Sequence, residues 1–155
     1  MPQIETLPFG PLSYSDDAVL EFPAGLPAFE EQTRFVLVER PDEAPVIFLQ
    51  SLLRPDLTFL TLPAQTVAPD YRFEIPTEDL ALLGFPAGGP PPLPGRDVLY
   101  LAIVTAPAGS APTANLMAPI VVNLASRRAA QVIRPDTDYS HQHPLFPPSQ
   151  ESPCS

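Results

Sequence analysis

Short apolar segments recur along the chain and are separated by clusters of proline, glycine and polar residues. Several of them, such as FVLV, VIFLQ, VLYLAIV and IVVN, are rich in the β-branched and aromatic side chains that favour strands. The pattern predicts strands at residues 3–7, 18–22, 34–39, 46–50, 57–62, 71–75, 98–105, 120–124 and 130–134.

Some of these segments are continuously apolar rather than alternating, which indicates strands that are covered on both faces. Turn residues separate nearly all neighbours. We therefore predict a mainly β, compact single-domain protein, an antiparallel barrel-like fold or sandwich with one or two short helices.

Helix signals are few. Thr77 is expected to be the N-cap of a short helix, with Glu78 and Asp79 in its first turn and Gly84 at its end. A second helix, of a single turn at most, is the expectation for residues 28–33.

The length of 155 residues fits one domain, which we assign to residues 1–145. Residues 86–95, PAGGPPPLPG, are predicted to be a solvated loop inserted between the helix and the strongest strand. Residues 146–155 are predicted to be a disordered tail.

The formal net charge is −10, and residues 1–100 carry 15 of the acidic side chains but only 5 of the 8 arginines. The chain has no lysine, and only Arg127 and Arg128 are adjacent, so no basic stripe is available for direct nucleic-acid binding. An acidic surface attracts basic proteins instead, an effect that weakens with salt. A merely soluble acidic surface is the alternative.

Residues 98–126 carry no charge, but Pro107, Pro112 and Pro119 break the stretch, so we predict no membrane segment. Cys154 is the only cysteine, which excludes an intramolecular disulfide, and MPQIETLPFG lacks the features of a signal peptide. These features predict a cytoplasmic protein.

Groups for catalysis are scarce. The chain has two histidines and no G-x-S-x-G motif, and prolines interrupt its glycine-dense stretch. We expect no enzyme activity and no cofactor. The alternative is a small metal-dependent enzyme that uses the cluster at the end of the domain, where two histidines would point to one side of an extended chain. This cluster consists of Asp136, Asp138, His141 and His143.

Two stretches are candidates for binding a partner. The first, FPAGLPAFEEQ, combines turn residues with apolar and acidic ones, and the candidates in it are Phe22, Pro23, Gly25, Leu26, Phe29, Glu30 and Glu31. The second lies in TANLMAPIVVN, with the candidates Asn115, Leu116, Met117 and Pro119.

In the second stretch we expect a core strand at residues 120–122, preceded by an irregular segment, 113–119, in which the Asn115 side chain caps the backbone. This segment has no titratable group, so it fits either of two roles: docking of a partner protein or packing in the core. The burial of Leu116 and Met117 decides between them. For the first stretch, too, buried anchors of the loop are the alternative.

Several segments together resemble one family, the bacterial flagellar assembly factor FliW. They span residues 3 to 145 in the family's order. These segments are IETLPFGPLSY, FPAGLPAFEEQTRFVLV, FLQSLLRPDLTFLTL, PDYRFEI, TEDLALLG, VLYLAIVT, TANLMAPIVVN, QVIR and DYSHQHPL. Family members usually have glycine where this chain has Ala28, so we expect a looser turn there.

The resemblance implies a cytoplasmic regulator with a small β-barrel-like fold that is a monomer when free. It implies binding of the carbon storage regulator CsrA, a basic RNA-binding protein, whose repression of flagellin translation is thereby relieved. It also implies binding of flagellin, which competes for the same protein. A third, weaker hypothesis is an adaptor that recruits a partner through the loop at residues 86–95.

Overall fold

A computed structural model of the chain describes residues 3–6, 9–86, 88–106, 109 and 111–145. Within them the chain forms eleven strands, two short α-helices and two 3₁₀ turns, at Asp16–Ala18 and Pro41–Glu43. The strands are β1 (Gln3–Thr6), β2 (Gly10–Ser13), β3 (Leu20–Glu21), β4 (Arg34–Glu39), β5 (Ile47–Ser51), β6 (Thr58–Pro63), β7 (Val98–Thr105), β8 (Thr113–Ala114), β9 (Ile120–Asn123), β10 (Ala129–Gln131) and β11 (His143–Pro144). The helices are α1 (Ala64–Val67) and α2 (Thr77–Leu83).

One antiparallel sheet carries most of the strands, in the order β10-β9-β7-β6-β5-β4-β3. β8 pairs with the end of β7 and with β11, while β1 and β2 form a separate hairpin. The sheet curls until the backbone N–H of Glu21 on β3 donates to the carbonyl of Arg127, 2.9 Å away, beside β10. Across the described residues this seam holds one bridge, between Glu21 and Arg128, so the sheet is barrel-like without being closed. The predicted mainly β fold is confirmed.

Strand β7 shows why its sequence is apolar throughout. Leu101 and its neighbours on the same face pack into the barrel interior with Phe35, Leu49 and Ile120. Tyr100 and its neighbours on the opposite face are covered by α1, α2 and residues 68–75. Because successive side chains of a strand point to opposite faces, both sets of positions must be apolar.

The predicted strands at 34–39 and 98–105 coincide with β4 and β7, and most of the others overlap the observed strands with shifted ends. The predicted strand at 71–75 is wrong. Tyr71, Phe73 and Ile75 do turn toward one core cluster, as alternation predicts, but this segment belongs to none of the sheet ladders. The position of Leu7, predicted as the end of the first strand, lies outside the described residues.

The predicted helix is present as α2, and Gly84 ends it in the left-handed conformation with φ 86°. Pro76 is its N-cap, so the expectation that Thr77 caps it is wrong by one residue. The expected helical turn at 28–33 is also wrong, because Phe29 pairs with Leu26 in an antiparallel bridge and Glu30 and Glu31 form a turn outside any helix. Among the described residues, neither helix has the length and apolar composition needed to cross a bilayer.

The proline- and glycine-rich loop is anchored at its end by backbone and side-chain hydrogen bonds. The Asp97 carboxylate accepts from the Leu93 N–H at 2.9 Å, and the Gly95 N–H donates to the Val98 carbonyl at 2.8 Å. The described part of this loop, with aromatic residues such as Phe73, lines an open pocket of about 290 Å³. The predicted disorder of residues 146–155 concerns residues outside the described part of the chain.

Candidate partner-binding surface

The first candidate stretch folds as a small hairpin of its own after β3. The Phe29 N–H donates to the Leu26 carbonyl at 2.7 Å, and the Leu26 N–H donates to the Phe29 carbonyl at 3.2 Å. Pro27 and Ala28 form the turn between them. Proline fixes φ near about −65°, and Ala28 has φ 71°, a combination typical of a type II turn.

Gly25 makes the base of this hairpin possible. Its φ is 65°, and a Cβ atom at this position would overlap the backbone of Glu30. Glycine is therefore required for the close approach of the two backbone segments. At Ala28, by contrast, an L-residue occupies a left-handed conformation that favours glycine.

Burial divides the candidates of this loop into two groups. Phe22 and Leu26 are 0% and 2% exposed, and Phe22 packs edge-on against Phe35 with ring centroids 5.0 Å apart. These two side chains belong to the core and hold the hairpin in place, so direct contact of either with a partner is not supported. The candidates that face solvent, fully or in part, are Pro23, Phe29, Glu30 and Glu31.

The exposed acidic side chains differ in what they do locally. The Glu30 carboxylate accepts a hydrogen bond from the Ala28 N–H at 3.2 Å and so supports the turn. Glu31 makes no side-chain hydrogen bond or ion pair within the described residues. Between them and the core, Phe29 is half-buried and packs edge-on against Phe59 at 5.7 Å. Glu31 is thus free to interact with a partner.

A buried polar contact connects this hairpin to the loop after β5. The Ser51 hydroxyl donates to the Gln32 side-chain oxygen at 2.7 Å and accepts from the N–H groups of Leu53 and Arg54. This loop presents Leu53 with 51% of its surface exposed. We call Pro23, Phe29, Glu30, Glu31 and Leu53 the acidic loop surface.

Leu53 was missed by the sequence analysis. Its signal is the second leucine of SLLRPD, which lies where turn residues begin and a strand ends. A leucine at such a position has no predictable core face, and large exposed apolar side chains beside charges are features of binding surfaces.

The second candidate stretch is held by the side chain of Asn115, as expected. Its Oδ1 atom accepts from the N–H groups of Met117 at 3.1 Å and Ala118 at 3.0 Å. The following strand β9 is buried throughout, as predicted for residues 120–122. Thr113 and Ala114, expected to be irregular, form the short strand β8 because they pair with β7 and β11.

Leu116 is fully buried, which gives it a packing role rather than a docking one. Its N–H donates to the Ser140 carbonyl at 3.0 Å, and its carbonyl accepts from the Tyr71 hydroxyl. Pro119 is buried as well, whereas Asn115 and Met117 are half-buried. Burial raises the pKa of Tyr71, with smaller contributions from Tyr139 and Tyr100.

The structure does not unite the two candidate stretches. Phe22, Leu26 and Phe29 belong to the interior cluster, whereas Leu116 belongs to the cluster on the outer face of β7. In the part of the chain that the structure describes, no hydrogen bond connects one stretch to the other. The acidic loop surface is the candidate that presents apolar and charged groups together.

The cluster proposed as a metal site has no ligand set in the structure. The described residues contain no group of three His, Cys, Asp or Glu side chains that could hold a metal ion. Asp136 instead pairs with Arg134, with Nη2 and Oδ2 2.6 Å apart, and this hydrogen bond lowers its pKa to about 2. His143 lies in β11, paired with Ala114.

A cleft of about 630 Å³ lies between the 3₁₀ turn at Asp16–Ala18 and the turn before β10. Its charged lining is mixed, with acidic groups from Asp16, Asp17 and Glu21 and basic groups from Arg34 and Arg127. Arg34 approaches Glu21 to 3.9 Å. The mixture favours neither anions nor cations, so this cleft is not assigned a ligand.

Comparisons with known proteins agree on one family. The model of a family described as FliW protein matches residues 3–145. The chain is similar to the flagellar assembly factor FliW of Syntrophomonas wolfei, with 33% identity over 97% of this chain and 92% of that protein. It is also similar to that of Azoarcus, with 36% identity over 84% and 90%. A crystal structure of a flagellar assembly factor FliW, 33% identical, superimposes with a TM-score of 0.81 over 94% of this chain and 98% of that one.

Proposed function

Because the chain belongs to the FliW family, we propose that it regulates flagellum assembly by capturing other proteins. One captured partner is the carbon storage regulator CsrA, a basic RNA-binding protein. Capture removes the regulator from its messages and so relieves repression of flagellin translation. We place this activity in the cytoplasm, where those messages are translated.

The observation that carries the proposal is the composition of the acidic loop surface. The half-buried Phe29 offers apolar contact area on the hairpin, directly before Glu30 and Glu31 in the chain. The exposed Leu53 lies on the loop after β5, which the hydrogen bond between Ser51 and Gln32 connects to the hairpin. Apolar anchors supply affinity in such an arrangement, while the surrounding charges accelerate encounter with a partner of opposite sign. The net charge of −10 adds to that attraction over the whole molecule.

Flagellin is the second partner in this proposal. It competes with the regulator for the same protein, so the amount of free flagellin determines how much regulator stays captured. The family membership supports this part of the proposal, and the contacts that flagellin makes are a separate question from those of the regulator.

Association kinetics with purified CsrA test the first part. Glu31→Arg reverses a charge that makes no internal hydrogen bond among the described residues, so it should leave folding unchanged and slow association about tenfold at low salt. Asp70→Arg is the matched control, since it makes the same charge change on the segment that packs against the other core cluster.

Wild-type association should slow as salt increases, and Asp70→Arg should retain most of the wild-type rate. No complex at low salt would overturn the capture of this regulator. Equal rates for the two variants would show that the regulator binds elsewhere.

Displacement of bound CsrA by added flagellin monomer tests the second part of the proposal. A complex that survives saturating flagellin contradicts competition.

A further inference from the structure

Strand β4 has an open edge over its second half. β3 pairs only with its first two residues, Arg34 and Phe35. The Arg34 carbonyl accepts from the Leu52 N–H at 2.9 Å, so the backbone groups of Arg34 face β5. Because these groups alternate along a strand, those of Leu37 and Glu39 face away from β5.

No strand covers that edge in the described part of the chain. Among the described residues, no backbone hydrogen bond joins Leu37 or Glu39 to a segment on that side. An exposed strand edge of this kind is a template for pairing with another extended chain.

The open edge borders a groove of about 350 Å³. Val36, Leu37 and Val38 form one wall, and the end of β2 with Tyr14 and Ala18 forms the other. The second wall is supported from behind, because β2 pairs with β1. In the described part of the chain the groove therefore separates two β-elements that share no ladder, and the residues of the open edge, 36–39, line it.

Charges at the ends of the groove indicate the chemistry of the occupant. Glu39 is exposed at one end of the groove. Ser15 and Ala18 line the other end, and the exposed Asp16 and Asp17 of the same turn line the neighbouring cleft. The nearby Arg40 lies over the ring of Phe9, with its Cζ atom 5.0 Å from the ring centroid. A second copy of this chain is disfavoured as occupant by the net charge of −10 on each molecule.

We propose that the open edge of β4 binds an extended, basic-flanked segment of a partner protein by β-strand addition. The N–H and C=O groups of Leu37 and Glu39 pair with the backbone of the segment. Its alternate apolar side chains pack along the face that carries the half-buried Val38, one terminal arginine or lysine side chain lies near Glu39, and the other approaches the acidic 3₁₀ turn. This site is separate from the acidic loop surface and goes beyond the function proposed above.

Titration of the isotope-labelled protein with the peptide RRVTVTRR, followed by nuclear magnetic resonance, tests the proposal. We expect saturable shifts and slower hydrogen exchange at the amides of Leu37 and Glu39. Glu39→Pro removes the outward-facing N–H as well as the charge, whereas Glu39→Ala removes only the charge. The dissociation constant of Glu39→Pro should exceed that of Glu39→Ala about tenfold.

Two further comparisons use the wild-type protein and so do not depend on how the proline variant folds. N-methylation of the central amides of the peptide should abolish binding, and EEVTVTEE should bind more weakly than RRVTVTRR. Absence of saturable binding, or equal binding of the methylated peptide, overturns the proposal. So does concentration-dependent dimerisation that protects the Leu37 amide without peptide, since the edge would then be occupied by a second copy.

Discussion

The Tyr71 hydroxyl donates a 2.7 Å hydrogen bond to the Leu116 carbonyl, and this bond joins segments that are 45 residues apart. Both residues are buried on the outer face of β7. The contact fixes the irregular segment before β9 against the one after α1, and it explains why Leu116 packs rather than docks. Its loss leaves a buried carbonyl without a partner.

Tyr71→Phe should therefore lower the free energy of unfolding by about 1–3 kcal/mol, the cost of an unsatisfied buried acceptor. Urea denaturation measures this loss. Tyr139→Phe is the comparison, because the Tyr139 hydroxyl accepts from the exposed Arg72 N–H, which water can satisfy. Equal losses in the two variants would contradict a special role for the Tyr71 hydrogen bond.

The stability of the protein should decrease in alkaline solution. Burial raises the pKa of Tyr100 from 10.0 to about 12 and raises that of Tyr71 as well. Below pH 10 both phenols are protonated in the folded and unfolded states. Above it, the unfolded chain loses these protons while the folded protein keeps them, so the free energy of unfolding falls as pH rises.

Urea denaturation across the range from pH 10 to about 12 measures this slope for Tyr100. Replacing both Tyr71 and Tyr100 with phenylalanine should flatten it, whatever the change in stability at neutral pH. An unchanged slope in the double variant would assign the alkaline effect to other groups.

Ala28→Gly should stabilise the protein by up to about 1 kcal/mol, because it relieves a left-handed conformation that costs an alanine about 1–2 kcal/mol. The matched control is Ala24→Gly, in the same loop at a residue without positive φ, where glycine should be neutral or destabilising. Thermal or urea denaturation compares the two. A loss of stability in Ala28→Gly would show that the turn tolerates alanine without strain.

The pKa of Asp136 should depend on Arg134. The hydrogen bond from Arg134 is the main cause that lowers this pKa to about 2. Arg134→Gln removes the charged donor, so the pKa should return toward 3.8. Titration of the Asp136 carboxyl carbon by nuclear magnetic resonance measures the change, with Asp138 observed in the same spectra as an internal reference.

Sequence patterns predicted strand β7 to the residue because its two apolar faces are both buried by the same fold. They failed at residues 71–75, where side chains alternate between core and solvent although no ladder forms. Alternation reports which side chains are buried, and a strand also requires a neighbouring backbone with free hydrogen-bonding groups. β8 and β11 are two residues each, too short for any periodic signal.

The charges of the candidate surface and the resemblance to the family could be predicted from the sequence. Which of its apolar side chains are buried could not. Leu26 and Leu53 are both leucines in proline-containing loops, yet one is 2% exposed and the other 51%. The difference arises from tertiary contacts, since Leu26 is carried into the barrel by the turn at Gly25. No local pattern encodes which side of a loop meets the core.

The seam between β3 and the turn before β10 affects how the chain folds during synthesis as well as how the sheet curls. The Arg127 side chain also donates a hydrogen bond to the carbonyl of Ala18, which lies 109 positions earlier in the chain. A nascent chain that has emerged only as far as β6 therefore lacks β7, β9 and β10, which complete the wall of the interior, and leaves Phe35 and Leu49 uncovered. Such distant contacts form late and slow folding. The chain can therefore complete its fold only after nearly all of it has left the ribosome.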